Sequence, residues 1–349
     1  MFMKEIGSEF WKPTTQHIKD NETFYLCGRT ALDVIVKDAV KTYGISSALL
    51  PSYCCHTMIE PFQQNGIDIR FYDVFVDEEG ILTADVPAPQ NNEMLYIMKY
   101  FGDIDIKYEG VGRNLNEWLT SVEDLTHSCF MEGYSMHTDY WFTSYRKWFA
   151  VEGIAVAGKR GGRLLEASKN RNEAYYDLRR KAFSLKNRFM NGDTIEKSEF
   201  LSVFGKAESL LSRDYRDYGI GYEESYTLFR FLDEIKDTKQ RRRDNARILI
   251  EGLTDIIGIK VFTDFKDDKK CPLFVPIVVK DGKRDALRSY LISKDIYCPV
   301  HWPLSKQHVG ISERAKEIYA EELSLVCDQR YGDEDMERTV QEIQKFMIC

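Results

Sequence analysis

A lysine that attacks a carbonyl needs a depressed pKa, and the segment Thr143-Ser144-Tyr145-Arg146-Lys147-Trp148 has the means to provide it. Phe142, Trp148 and Phe149 would strip water from the Lys147 amine, and Arg146 would add a like charge. Ser144 stands three residues before Lys147, so its hydroxyl can reach a phosphate while the amine reaches an aldehyde at the other end of a small ring. The same residues also suit an exposed Lys-Arg pair beside an aromatic core patch. Twenty-three residues earlier comes Val122-Glu123-Asp124-Leu125-Thr126-His127-Ser128. A carboxylate at the carboxyl end of a strand faces the ligand crevice of an open α/β sheet, and Asp124 there would pair with a protonated pyridine nitrogen and keep it cationic. His127 would curl back beside the same ring. A satisfied loop histidine and a helix-capping aspartate are the plainer alternative.

Two further segments could join them. Cys27-Gly28-Arg29-Thr30-Ala31-Leu32 is a glycine turn opening a helix, which offers backbone N–H groups, a hydroxyl from Thr30 and a charge from Arg29 to an anion, or simply a helix cap. Tyr297 to Leu304 holds His301 and Trp302 in a stretch stiffened by Pro299 and Pro303, where His301 could face a substrate mouth or pack structurally. Cys54-Cys55-His56 invites a metal reading, but neighbours on an extended segment point to opposite faces, so no metal is expected.

These groups need a scaffold, and a chain of 349 residues with 43% hydrophobic content can build one. Apolar spacing predicts a helix over 31–43 stopped by Gly44, strands at 47–50, 67–72 and 94–98, and a helix between them at 57–65. Strands near 121–124, 140–144 and 154–157 follow, the last as a hairpin neighbour. This alternation reads as α/β with a mainly parallel sheet. From 166 to 253 the pattern turns helical and charged, with Tyr226 to Ile235 as its clearest apolar face. Strands at 257–262, 273–279 and 297–301, with helices at 284–293 and after Glu313, complete a smaller α+β unit. The expected division is a large unit over 1–240, its part from 165 being a helical connection, and a small one over 241–349.

A net charge of -8 argues against a generic nucleic-acid or membrane-surface partner, since phosphate backbones and anionic lipids repel an acidic protein. No run reaches the roughly 18 apolar residues of a membrane span, and residues 1–11 hold no signal-length apolar stretch. The eight cysteines lack Cys-x-x-Cys pairs and read as reduced thiols, so a cytoplasmic location is expected.

Taken in order, these segments resemble the DegT/StrS branch of fold-type I aminotransferases, the sugar-aminotransferase-like proteins, over most of the chain. Gly28-Arg29-Thr30-Ala31 is similar to the family's phosphate turn, Glu123-Asp124-x-x-His127 to its ring-nitrogen segment, Ser144-x-x-Lys147 to its lysine segment, Glu152-Gly153 to the residues after that lysine, and His301-Trp302-Pro303-Leu304 to its C-terminal substrate loop. The resemblance implies a mainly parallel sheet sandwiched by helices with a smaller C-terminal α+β domain, and pyridoxal 5'-phosphate carried by Lys147. It implies an amino-acid donor, a carbonyl acceptor such as a keto-sugar nucleotide, and a homodimer with the site between subunits. Other pyridoxal-phosphate chemistry, or a non-catalytic binding protein, are the alternatives it leaves. Where the family places an aromatic residue over the ring, this chain has Cys55, with Tyr53 and His56 nearest to it, and near 221–225 it lacks the family's Asn-Tyr-Arg contact with a partner's phosphate.

Overall fold

The computed structural model describes residues 22–348 apart from 103, 105, 131–137, 165–169, 221–223, 225–226, 229–234 and 263–268. The apolar face expected at Tyr226 to Ile235 and the 221–225 segment fall largely outside the described residues.

A nine-stranded sheet forms the body, in the order β1-β9-β8-β7-β5-β2-β3-β4-β6. Its strands are β1 (Glu22–Tyr25), β2 (Ser47–Pro51), β3 (Asp68–Val76), β4 (Leu82–Asp85), β5 (Glu93–Met98), β6 (Ile106–Glu109), β7 (Thr120–Asp124), β8 (Tyr140–Ser144) and β9 (Ala155–Lys159). The central run β8-β7-β5-β2-β3 is parallel throughout, while β9 joins β8 and β1 antiparallel. Parallel strands are covered on both faces, and β5 accordingly buries all six of its residues. Helix α1 (Gly28–Tyr43) lays Ala31, Leu32, Ile35, Val36 and Ala39 on the sheet and ends at Gly44, whose left-handed φ of 68° lets its N–H bond the Val40 carbonyl at 2.9 Å. Helix α2 (His56–Gln64) follows β2 directly. The parallel connections therefore bring the ends of β2, β7 and β8 and the start of α1 to the same side of the sheet.

Helices α3 (Glu173–Met190) and α4 (Lys197–Arg213) pair as a hairpin beyond β9. The remainder holds α5 (Ile235–Leu253), β10 (Ile259–Val261), β11 (Phe274–Val279), α6 (Arg284–Ser293), α7 (Glu313–Glu321), β12 (Glu322–Val326) and α8 (Asp333–Ile348). An antiparallel sheet β10-β11-β12 shares a core with α5, α6 and α8 through residues such as Leu249, Ile277, Leu291, Leu325 and Ile343. Helix α7 reaches back to the large sheet, where Arg314 binds Asp73 at 2.9 Å and Asp85 at 3.0 Å.

Residues 297–301 are not the expected strand. Pro299 has no N–H for a ladder, and β11 takes β12 as its partner instead. The segment is held irregular, with Ser324 N–H on the Pro299 carbonyl at 3.0 Å. Strand β12 lies within the region expected to be helical after Glu313.

Candidate active site

One cavity of about 180 Å3 lies where those ends meet, and Gly28, Arg29, Cys55, Asp124, His127, Ser144, Lys147 and Trp302 all line it. Residues separated by almost the whole chain thus share one small space.

Asp124 closes β7, between β5 and β8. Its Oδ1 accepts the Thr126 N–H at 2.7 Å and its Oδ2 the Tyr96 hydroxyl at 2.6 Å. Burial pushes its carboxyl up despite these two donors and nearby Lys147. A cation facing it would reverse that shift. Each oxygen has one lone pair left for such a partner.

Lys147 ends a single 3-10 turn after β8, a turn fixed by Tyr145 N–H on the Ile154 carbonyl at 3.0 Å and by Trp148 Nε1–H on the Thr126 carbonyl at 2.9 Å. The side chain is solvent-accessible, but the water it meets is that of a concave site walled by protein. Its amine is held below the ordinary lysine value, first by desolvation and then by Arg146, against the pull of Cys55, Glu208 and Asp124. No hydrogen bond or ion pair engages it among the described residues.

Ser144 caps the same turn. It is 5% exposed, and its hydroxyl has no hydrogen-bond partner among the described residues. A Cβ on Gly28 would stand 3.6 Å from Ser144 Cβ and 3.5 Å from the Phe142 ring, filling the gap between the start of α1 and β8. Cys27 before it lends no side-chain cap, so the first N–H groups of α1 stay available to an anion. Arg29 is tied to Glu60 at 2.8 Å and lies over Tyr215. A phosphate suits this end, with Asp124 and Lys147 beyond it.

His127 is nine-tenths or more buried, with Nδ1 lacking a partner among the described residues. It stacks on Trp302 at 5.4 Å and 28°. Burial, His301 and Lys147 hold its imidazole well below the ordinary value, so it is neutral. Burial pushes the Cys55 thiol up, but hydrogen bonding from His56 and Thr57 outweighs it and leaves the thiol below its usual range.

Some expected residues stand elsewhere. Thr30 spends its hydroxyl on the Tyr215 carbonyl at 2.6 Å, and Ala31 is in the core with its N–H on the Cys27 carbonyl at 3.0 Å. Tyr53 is not at the cavity: it packs behind Trp302 at 5.1 Å, with Tyr100 and Tyr319 around it. His56 is half-buried beside Glu60, and His301 lies behind His127 at 5.3 Å. The Tyr53 hydroxyl is buried without a partner among the described residues. Tyr53→Phe should therefore leave the melting temperature unchanged or raise it, by a stability gain of up to about 1 kcal/mol; a loss of that size in denaturant unfolding would contradict the packing described.

Glu208 and Leu211 of α4 also line the cavity, and sequence reasoning did not find them. Glu208 binds Arg146 at 2.8 Å, and Arg146 also donates to the Tyr175 hydroxyl at 2.7 Å. Their only sequence signal was a charged helical stretch, which also fits a solvated face.

The model of the DegT/DnrJ/EryC1/StrS aminotransferase family matches residues 224–344. That match spans about a third of the chain. It lies wholly after Lys147, so the lysine segment rests on its own geometry. A search of curated protein sequences finds no match. Among solved structures, the aminotransferase TlmJ from Streptoalloteichus hindustanus is 14% identical with a TM-score of 0.63, over 94% of this chain and 86% of that one. The putative sugar aminotransferase Spr1654 from Streptococcus pneumoniae, in its PLP form, is 12% identical with a TM-score of 0.63, over 94% and 87%. A DegT DnrJ EryC1 StrS aminotransferase from Brucella abortus is 17% identical with a TM-score of 0.59, over 93% and 86%. These likenesses establish the fold alone, an α/β body with a large, mostly parallel sheet and a smaller antiparallel one.

Proposed function

We propose that the protein is a pyridoxal-phosphate-dependent aminotransferase that moves an amino group from an amino-acid donor to a carbonyl acceptor. The observation that carries this reading is the convergence of Lys147, Asp124, Ser144 and the start of α1 on one small cavity. Pyridoxal phosphate bound there would supply an electron sink for negative charge developing at the carbon next to the transferred nitrogen.

The chain's own groups divide the work. The N–H groups at Gly28 and Arg29, the Arg29 charge and the Ser144 hydroxyl would hold the phosphate. Asp124, fixed by Tyr96 and Thr126, would pair with the ring nitrogen and keep it protonated. His127 would lie beside the ring, with Trp302 stacked on it and Cys55 on the cavity wall. Lys147 would hold the cofactor, and its amine, held below the ordinary lysine value, would be the base that moves the proton. A keto-sugar nucleotide is the acceptor class we favour, from the sugar aminotransferases among proteins of this fold, with a role in nucleotide-sugar or polysaccharide biosynthesis. A cytoplasmic homodimer, and a division into 1–240 and 241–349 with α5 bridging the two, complete the proposal. No described helix is long and apolar enough to cross a membrane.

The test is spectral. With pyridoxal phosphate added, the purified protein should gain the visible band of the lysine-bound cofactor, and an amino donor alone should replace it with the band of the aminated form. A keto acceptor should then restore the first band. No visible band at all would leave a non-catalytic binding protein; carbon dioxide or ammonia release without the aminated form would mean different chemistry on the same lysine.

A further inference from the structure

A line of buried polar groups runs from the small sheet towards His127, and nothing in the proposed reaction uses it yet. Glu322 and Ser324 are two apart on β12, so they point to one face, and both are fully buried. The Ser324 hydroxyl lies against Glu322 Oε1, and its oxygen is 2.8 Å from His301 Nδ1. The other carboxylate oxygen accepts the His301 backbone N–H at 2.7 Å. His301 in turn meets His127 edge to face, with centroids 5.3 Å apart and planes at 83°.

A hydroxyl carries one proton, so Ser324 can donate to only one of its two neighbours at a time. With Glu322 ionised, Ser324 donates to it and accepts from His301 Nδ1–H, which leaves His301 Nε2 as a bare lone pair. A proton arriving at Nε2 lets Nδ1 release its proton to the Ser324 oxygen, as Ser324 passes its own to Glu322. The end state has Glu322 neutral, Ser324 donating to Nδ1 and the ring proton on Nε2. One proton has entered, and no heavy atom has changed partner.

We propose that Glu322, Ser324 and His301 form a proton relay, in which the ionisation of Glu322 sets the tautomer of His301 and hence whether Nε2 donates or accepts. The surroundings favour a relay that switches in a useful range. Burial pushes the Glu322 carboxyl up to about 8, against the Ser324 and His301 hydrogen bonds and the Arg284 charge. Among the described residues Tyr53 and Cys298 also feel Glu322, and burial retains their protons. Burial and Lys147 hold His301 itself near 3, so the imidazole changes tautomer without becoming a cation. The use of this proton beside Lys147 rests on the proposed aminotransferase reading; the relay itself does not.

Nitrogen-labelled histidine in the full, cofactor-free chain tests it by NMR. The sequence has six histidines, and His301→Gln identifies the signal that vanishes. In the wild type, the His301 ring should pass from the Nε2–H to the Nδ1–H form as pH rises, with a midpoint near 8. Glu322→Gln cannot ionise and should hold one tautomer throughout, and Ser324→Ala should uncouple His301 while Glu322 remains. A wild-type His301 signal constant from about pH 6 to about pH 10, or the same midpoint in Ser324→Ala, would overturn the relay. The five other histidine signals report folding of each variant, and the wild-type titration decides even if a variant is lost. Because no cofactor is present, this outcome is independent of whether the visible band forms.

Discussion

Lys147→Ala should abolish the visible band that pyridoxal phosphate gives with the wild type and lower transamination by roughly 10^4 to 10^6-fold, the scale seen when a covalent nucleophile is removed. The size follows from the amine having two tasks, carrying the cofactor and moving the proton, with no other lysine lining the cavity among the described residues. Arg146 is the nearest other cation in the wall, but it is committed to Glu208 and Tyr175, and a guanidinium cannot deprotonate to attack. The fold should survive. Lys147 is accessible and has no hydrogen bond or ion pair among the described residues, so its loss should shift stability by no more than about 0.5 kcal/mol. A visible band that persists in this variant would move the cofactor to another lysine and remove the basis of the proposed function.

The parts of this site that sequence made legible were those with local spacing. Ser144 and Lys147 are separated by one short turn, so their relation survives any tertiary arrangement. Asp124 and Gly28 sit where a parallel strand ends and where a helix begins, positions that alternating α/β patterning places on one side of a sheet. The parallel order β8-β7-β5-β2-β3 then brings them together.

What sequence left obscure depended on orientation or on distant packing. Tyr53 and Cys55 are two residues apart past the end of β2, and only the path of the chain into α2 decides that Cys55 meets the cavity while Tyr53 joins the cluster behind Trp302. Glu208 reaches the cavity because α3 and α4 pair and fold back on the lysine turn, information that a charged, amphipathic stretch does not carry. The 297–301 segment has the apolar content of a strand, yet Pro299 and the competing β12 deny it a ladder. That loss has a consequence: an irregular backbone at His301 can donate its N–H to Glu322 instead of to a neighbouring strand.

Asp124→Asn separates the energetics of the fold from those of the reaction, because it should move them in opposite directions. The amide has the carboxylate's shape and can still accept the Thr126 N–H, so the cavity should persist. It has no charge, however, and cannot hold a ring nitrogen protonated; we expect transamination to fall by at least about 10^2 to 10^3-fold, the cost of removing one preorganised electrostatic group. Stability without cofactor should change the other way. Burial raises the Asp124 carboxyl in the folded chain above its value in the unfolded one, so the group's contribution is fully present below the unfolded pKa and is lost as pH rises through the folded pKa. At neutral pH the cofactor-free wild type therefore carries a buried carboxylate at a cost that the asparagine variant avoids. Melting temperatures of the cofactor-free proteins should favour Asp124→Asn at pH 7 and converge below about pH 4, where both side chains are neutral. Added pyridoxal phosphate should reverse the order at pH 7, since only the carboxylate gains a cationic partner from it. A variant that is destabilised without cofactor and unaffected with it would place Asp124 in the framework of β7 and not opposite the ring nitrogen.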